Sequence, residues 1–169
     1  MRVEVVERSL AAELGRTFQG RVVVVGVGDE QRGDDAVGPA IARLLSEAGV
    51  ENVIDAGASP EIETWRIREI APDAVLFVDA VDLGAEPGDA ALLEPSDLRA
   101  TGFDTHRAPL RLTMDYLERE LGCRCYLLAV QPRDVRHGTS MCPEVTVSVG
   151  ELAILITEAL NNGKHPKNR

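Results

Sequence analysis

Acidic side chains crowd one turn of this sequence. Residues 22–38 read VVVVGVGDEQRGDDAVG, so Asp29, Glu30, Asp34 and Asp35 follow an uninterrupted valine run. More acids close two later apolar runs: Asp55 in VIDAG, then Asp79 and Asp82 in LFVDAVD. His106 lies in THRAPL, and Gln131 ends LLAVQ. Carboxylates joined by one imidazole, with positions left open, suit a transition ion such as nickel, zinc or iron, whereas carboxylates alone favour Mg²⁺ or Ca²⁺. The same carboxylates could carry protons in a metal-assisted hydrolysis.

The opening of this stretch also resembles a dinucleotide-binding turn, with Gly26 and Gly28 in the first two glycine positions. The third is filled by Gln31, so the fingerprint is incomplete. Its acids also oppose a pyrophosphate. At ~5 Å and an effective dielectric of ~20, each like-charge pair costs about 3 kcal/mol. Gly26, Gly28 and Gly38 then read as structural glycines, serving a tight turn and close helix packing.

Each acid has a second reading. Asp34 precedes a predicted helix and fits an N-cap, which would make one member of the Asp34–Asp35 pair structural. Asp55 can bind amides of its own Asp-Ala-Gly turn. Asp79 follows the apolar run AVLFV and requires a hydrogen-bonded or charged partner to be tolerated there. Nucleophile arrangements are weak: there is no GxSxG elbow, and Ser59 and Ser140 lack a matching base. His137 is the one partner available to Cys142, which reads better as a helix entrance before Pro143.

The elements that must hold these residues alternate between strand and helix. Strands are expected over 21–27, 51–57, 74–79 and 123–132, with a short antiparallel edge strand at 91–95 and a loop over 96–106. Helices are expected over 34–48, from Pro60 through Ile70, over 108–121 and over 144–160. This is an α/β three-layer sandwich, a twisted, mostly parallel sheet of about five strands with helices on both faces. Sites in such sheets form beyond the carboxyl ends of the strands, where these acids, His106 and Gln131 all fall. Residues 1–20 are expected to form a helical N-terminal appendage, 21–162 a single α/β domain, and 163–169 a disordered tail after Asn161-Asn162-Gly163.

A chain of 169 residues fits one domain. Its net charge of -10 disfavours nucleic acid and anionic membrane surfaces as partners. No run reaches the ~20 apolar residues of a membrane span, so no membrane insertion is expected. Cys123, Cys125 and Cys142 have no disulfide spacing, which points to a reducing, cytoplasmic setting.

The ordered blocks GVGDEQRGDDAVG, VIDAGASPE, LFVDAVDLGAEPG, THRAPL and LLAVQPRDV resemble the maturation endopeptidases of [NiFe]-hydrogenases. The resemblance is nearest to the type that processes the large subunit of the formate-hydrogenlyase hydrogenase, and it runs over about residues 21–155. It implies a metal held by Asp35, Asp79 and His106, with Asp35 or Asp79 assisting catalysis, and so selects Asp35 over Asp34. Asp29, Asp34, Asp55 and Gln131 remain as substrate-binding or supporting residues. Asp29 departs from the asparagine usual in the family, and the EQR segment is more polar than in many relatives. The implied reaction is a single cut that removes the C-terminal extension of a hydrogenase large-subunit precursor after nickel insertion. Nickel would arrive with that substrate, and zinc or cadmium could occupy the same ligands in a crystal. Two other readings stand beside it: a nucleotide-binding α/β protein using Gly26 and Gly28, and a non-catalytic nickel-binding accessory protein.

Overall fold

The valine run forms β1 (Val22–Gly26), buried at all five positions. Every residue of β3 (Ala74–Ala80) is buried too, and β5 (Arg124–Val130) exposes only Arg124. Strands of this composition need cover on both faces. A computed structural model, which describes residues 2–100 and 108–164, supplies it.

The sheet has the order β2-β1-β3-β5-β4, where β2 is Val53–Asp55 and β4 is Ala90–Leu93. All pairs are parallel except β4 with β5, so the expected antiparallel strand is present at the edge. Helices α1 (Arg2–Thr17), α2 (Val37–Glu47) and α6 (Pro143–Lys164) cover one face. On the other lie α3 (Thr64–Ile70), α4 (Pro95–Ala100) and α5 (Ala108–Leu121). Strand alternation divides the core accordingly: Leu76, Val78 and Ala80 of β3 face the first layer, while Val75 and Phe77 face the second.

Three boundaries differ from the sequence reading. The loop expected over 96–106 begins instead with α4, whose Asp97 carboxylate accepts a hydrogen bond from the Glu94 N–H at 2.8 Å. That back-bond is half of a capping box, and Pro95 suits the first helical position. With six residues, α4 is too short to display a helical period. Secondly, α6 continues through Asn161-Asn162-Gly163 to Lys164. Gly163 lies against the Phe18 carbonyl, so tertiary contact carries the helix past a local stop signal. Thirdly, Leu10, Leu14 and Phe18 of the N-terminal segment are buried in the core shared with α2 and α6. Residues 165–169 of the expected tail lie outside the described residues. Among the described residues no helix is long and apolar enough to cross a membrane.

The strand order sets where a site can form. From β1 the chain passes through α2 to β2 on one side, and from β2 through α3 to β3 on the other side of β1. Connections therefore diverge between β1 and β3, which opens a crevice at their carboxyl ends. The start of α2 is pressed onto this point. A Cβ on Gly38 would overlap backbone atoms of Val27 and Val78, and one on Gly26 would overlap the Gly38 carbonyl.

Gly38→Ala is expected to cost about 3 kcal/mol, because the neighbours are backbone and cannot give way. Gly150→Ala, inside α6 with nothing near its would-be Cβ, should be neutral or stabilise by about 0.5–1 kcal/mol. Urea unfolding of the two variants tests the contrast.

Candidate active site

The chain leaves β1 through Val27, whose N–H bonds the Val78 carbonyl at 2.8 Å, and turns at Gly28. Gly28 has φ of +144°, and a Cβ there would overlap the Asp35 carbonyl. This close contact folds residues 29–36 back over the end of β1. Gly33–Ala36 then form a single 3-10 turn leading into α2.

Within that turn the two adjacent aspartates face different surroundings. Asp34 has no exposed surface. One carboxylate oxygen accepts the N–H of Arg133 at 2.7 Å and of Asp134 at 3.0 Å; the other accepts the N–H of Cys142 at 2.7 Å. The N-cap expectation is thus corrected: Asp34 makes no cap bond and instead holds the loop over 132–142. Burial pushes its carboxyl upward, but the amides of Cys142, Asp134 and Arg133 outweigh burial and hold it below the ordinary range. Backbone bonds complete the seam: Asp34 N–H to Asp134 O at 2.9 Å, Gly33 N–H to Thr139 O at 3.1 Å, and Gly138 N–H to Gln31 O at 2.8 Å.

Asp35 is partly exposed, and its Oδ2 accepts the Asp29 N–H at 2.8 Å. Asp79 is 4% exposed and follows Val78, the residue paired with Gly26. By strand parity its side chain lies on the layer of α3 and α5, together with Phe77 and its register partner Ala129. Asp35 thus lies on the turn that follows β1 and Asp79 near the carboxyl end of the neighbouring β3, the two strands between which the crevice opens. The described residues contain no group of three His, Cys, Asp or Glu side chains placed to hold a metal ion. His106 lies outside the described residues. Two residues after it, Ala108 opens α5, and α5 ends at Leu121 just before the amino end of β5. The start of α5 consequently belongs to the carboxyl rim.

The remaining candidates brace loops. Asp29 Oδ1 accepts the Gln31 N–H at 2.8 Å, and exposed Asp55 closes its own turn on the Gly57 N–H at 3.1 Å. Buried Gln131 accepts from Leu83 N–H at 2.6 Å and Ala85 N–H at 3.2 Å, and donates to Asp82 at 3.3 Å and to the Pro132 carbonyl at 2.9 Å. The Gly28 N–H is bound to the Gly57 carbonyl and the Asp29 N–H to Asp35, so two amides that a pyrophosphate would need are already used. His137 bonds Gln31 at 3.2 Å, and the Cys142 thiol is raised by burial and by Asp34, which argues against a Cys–His couple.

Sequence reasoning reaches only the end of the loop over 132–142, where Met141 and Cys142 are expected to border a substrate groove, and misses the rest of it as a wall of this site. The twelve residues between β5 and α6, which lack any period, were the available signal, because loops longer than about 12 residues without secondary structure of their own are uncommon and usually functional.

Known proteins share this chain's sequence pattern and fold. The sequence matches the family described as HycI hydrogenase maturation protease over residues 37–159. The chain belongs to the hydrogenase maturation protease family. It is accordingly a peptidase, a hydrolase. It is 36% identical over 113 residues to the Hydrogenase 3 maturation protease of Escherichia coli K12, covering 65% of this chain and 72% of that one. The crystal structure of a [NiFe] hydrogenase maturation protease HycI from Thermococcus kodakarensis KOD1 superposes with a TM-score of 0.82 at 32% identity, covering 89% of this chain and 99% of that one. The solution structure of the endopeptidase HycI from Escherichia coli gives 0.70 at 30% identity, over 81% and 90%. The family match begins at Val37, past the acidic turn, whereas the first of these structural likenesses spans most of the chain.

Because Asp34 is depressed in the folded protein, its contribution is complete above the unfolded carboxylate pKa of about 4 and fades as pH falls through the lower folded value. Asp34→Asn should lose about 3 kcal/mol at neutral pH, since one amide oxygen replaces two charged acceptors. Urea titrations should show this deficit shrinking between about pH 5 and about pH 3.

Proposed function

We propose that this peptidase removes the C-terminal extension of a [NiFe]-hydrogenase large-subunit precursor once nickel has been inserted. What supports this reading is that a member of the hydrogenase maturation protease family carries one carboxylate, Asp35, on the turn after β1 and another, Asp79, near the end of the adjacent β3. Asp35 is aimed by the Asp29 N–H, which engages one oxygen and leaves the other facing no described donor. Asp79 is held in a nearly dry position at the end of a buried strand. His106, on the segment leading to α5, is the imidazole that would complete the ligand set.

Nickel here belongs to the substrate. Two oxygens and one nitrogen suit it, and they leave positions for the precursor's own ligands. A precursor without nickel lacks this bridge to the acidic crevice, which would make cleavage contingent on metal insertion. When bound, the ion would supply Lewis acidity at the scissile carbonyl. The chain's own share is to orient the peptide, to exclude water through the wall over 132–142, and to accept a proton from the attacking water at Asp35 or Asp79. On this reading the protein works in the cytoplasm, in keeping with three cysteines whose spacing frames no disulfide.

Processing of nickel-loaded and nickel-free precursor, followed by the size shift of the large subunit, tests the proposal. Wild type should cut only the loaded form. Asp79→Asn and His106→Ala should slow cleavage by about a hundred-fold or more, with circular dichroism unchanged. Full cleavage by both variants would defeat the site assignment; binding without any shortening by wild type would favour the accessory-protein reading.

A further inference from the structure

Around the acidic turn, most arginines are neutralised. Arg43 pairs with Glu30 at 2.6 Å, Arg133 with Glu144 at 2.6 Å, and Arg136 with Asp134 at 2.6 Å. Arg32 differs. Its Nε–H donates to the Val135 carbonyl at 3.2 Å, and no carboxylate among the described residues pairs with it. That single bond fixes the plane of an exposed guanidinium while both Nη groups remain open.

Its position is also fixed by backbone. The Arg32 N–H bonds the Asp29 carbonyl at 3.1 Å, and the Arg32 carbonyl accepts the Asp35 N–H at 3.0 Å. The open fork therefore rises from the same tight turn that aims Asp35. Gln31 beside it is tied to His137 and Gly138, which makes turn and opposing loop one rigid lip. A planar fork with two free donors matches a carboxylate in bidentate fashion, as a flexible ammonium does not. In a chain of net charge -10, an acidic segment approaching this rim would otherwise be repelled.

We propose that Arg32 is a specificity-determining residue that pairs with a carboxylate on the C-terminal extension of the substrate, so setting the register of the chain beside Asp35. This rests on the peptidase reading above. The carboxylate can come from an Asp or Glu side chain of the extension or from its C-terminus, and the same chemistry serves both.

The test is steady-state cleavage of nickel-loaded precursor by wild type, Arg32→Gln and Arg32→Lys, with thermal unfolding as a check on folding. Arg32→Gln should raise KM about ten-fold at nearly constant kcat, and Arg32→Lys should recover only part of the loss. Two altered precursors separate the sources: one with every Asp and Glu of the extension changed to Asn and Gln, the other carrying a C-terminal amide installed by ligation. One of them should raise the wild-type KM to the Arg32→Gln level and leave the KM of Arg32→Gln itself unmoved. An unchanged KM for Arg32→Gln, or losses that simply add, would overturn the inference while wild-type cleavage upholds the peptidase reading. If wild type fails to cut the loaded precursor, that reading falls and takes this one with it.

Discussion

A full negative charge with no exposed surface, the Asp34 carboxylate, joins two parts of the chain about a hundred residues apart. A buried carboxylate is costly unless its lone pairs are occupied, and three amides of one loop occupy them. The loop over 132–142 cannot leave without stranding that charge, nor can the turn over 29–36 rotate. Everything proposed for this rim depends on that mutual hold. Asp35 is next in sequence and inherits its orientation from it, and Arg32 is carried on the same turn.

Glycine packing performs the equivalent task one layer deeper. The first turn of α2 lies on the ends of β1 and β3 at a distance that admits no side chain at Gly38. Helix and strands therefore meet at the place where the chain's crossovers diverge, and the crevice opened there by topology is bounded by fixed backbone. On the reading proposed above, carboxylates carried on this fixed backbone would favour a cation brought from outside.

Polar bracing distinguishes the residues around the crevice by role. Gln131 satisfies four partners and so stiffens the turn after β3 that follows Asp79. Asp55 and Asp29 each close a local turn. Acids that look alike in the sequence thus differ in how many backbone amides they engage, three at Asp34 and one each at Asp29, Asp35 and Asp55. Arg32, which meets no carboxylate among the described residues, has the opposite sign at the same lip, and the selectivity proposed for this rim rests on the two signs together.

Much of the architecture was legible beforehand. Continuous β-branched runs declare strands buried on both faces, and helical periods between them declare crossovers, so a mostly parallel sheet with sites at the carboxyl rim follows from pattern alone. Local chemistry also marked Asp55 as a possible turn-closer and Asp79 as an acid needing a partner. Other features stayed hidden because their causes are distant in sequence. Asp34 looks like an N-cap until residues 133–142 arrive to claim it, α4 is shorter than a detectable period, and α6 passes its stop signal because α1 packs beside it. The sequence by itself determined the layers, the rim and the residue types gathered there, since hydrophobic periodicity and turn chemistry act over a few residues. Only the tertiary structure decided that Asp34 is spent on the loop over 132–142 and that Arg32 is anchored to the Val135 carbonyl, because those outcomes depend on hydrogen bonds between segments that meet only on folding.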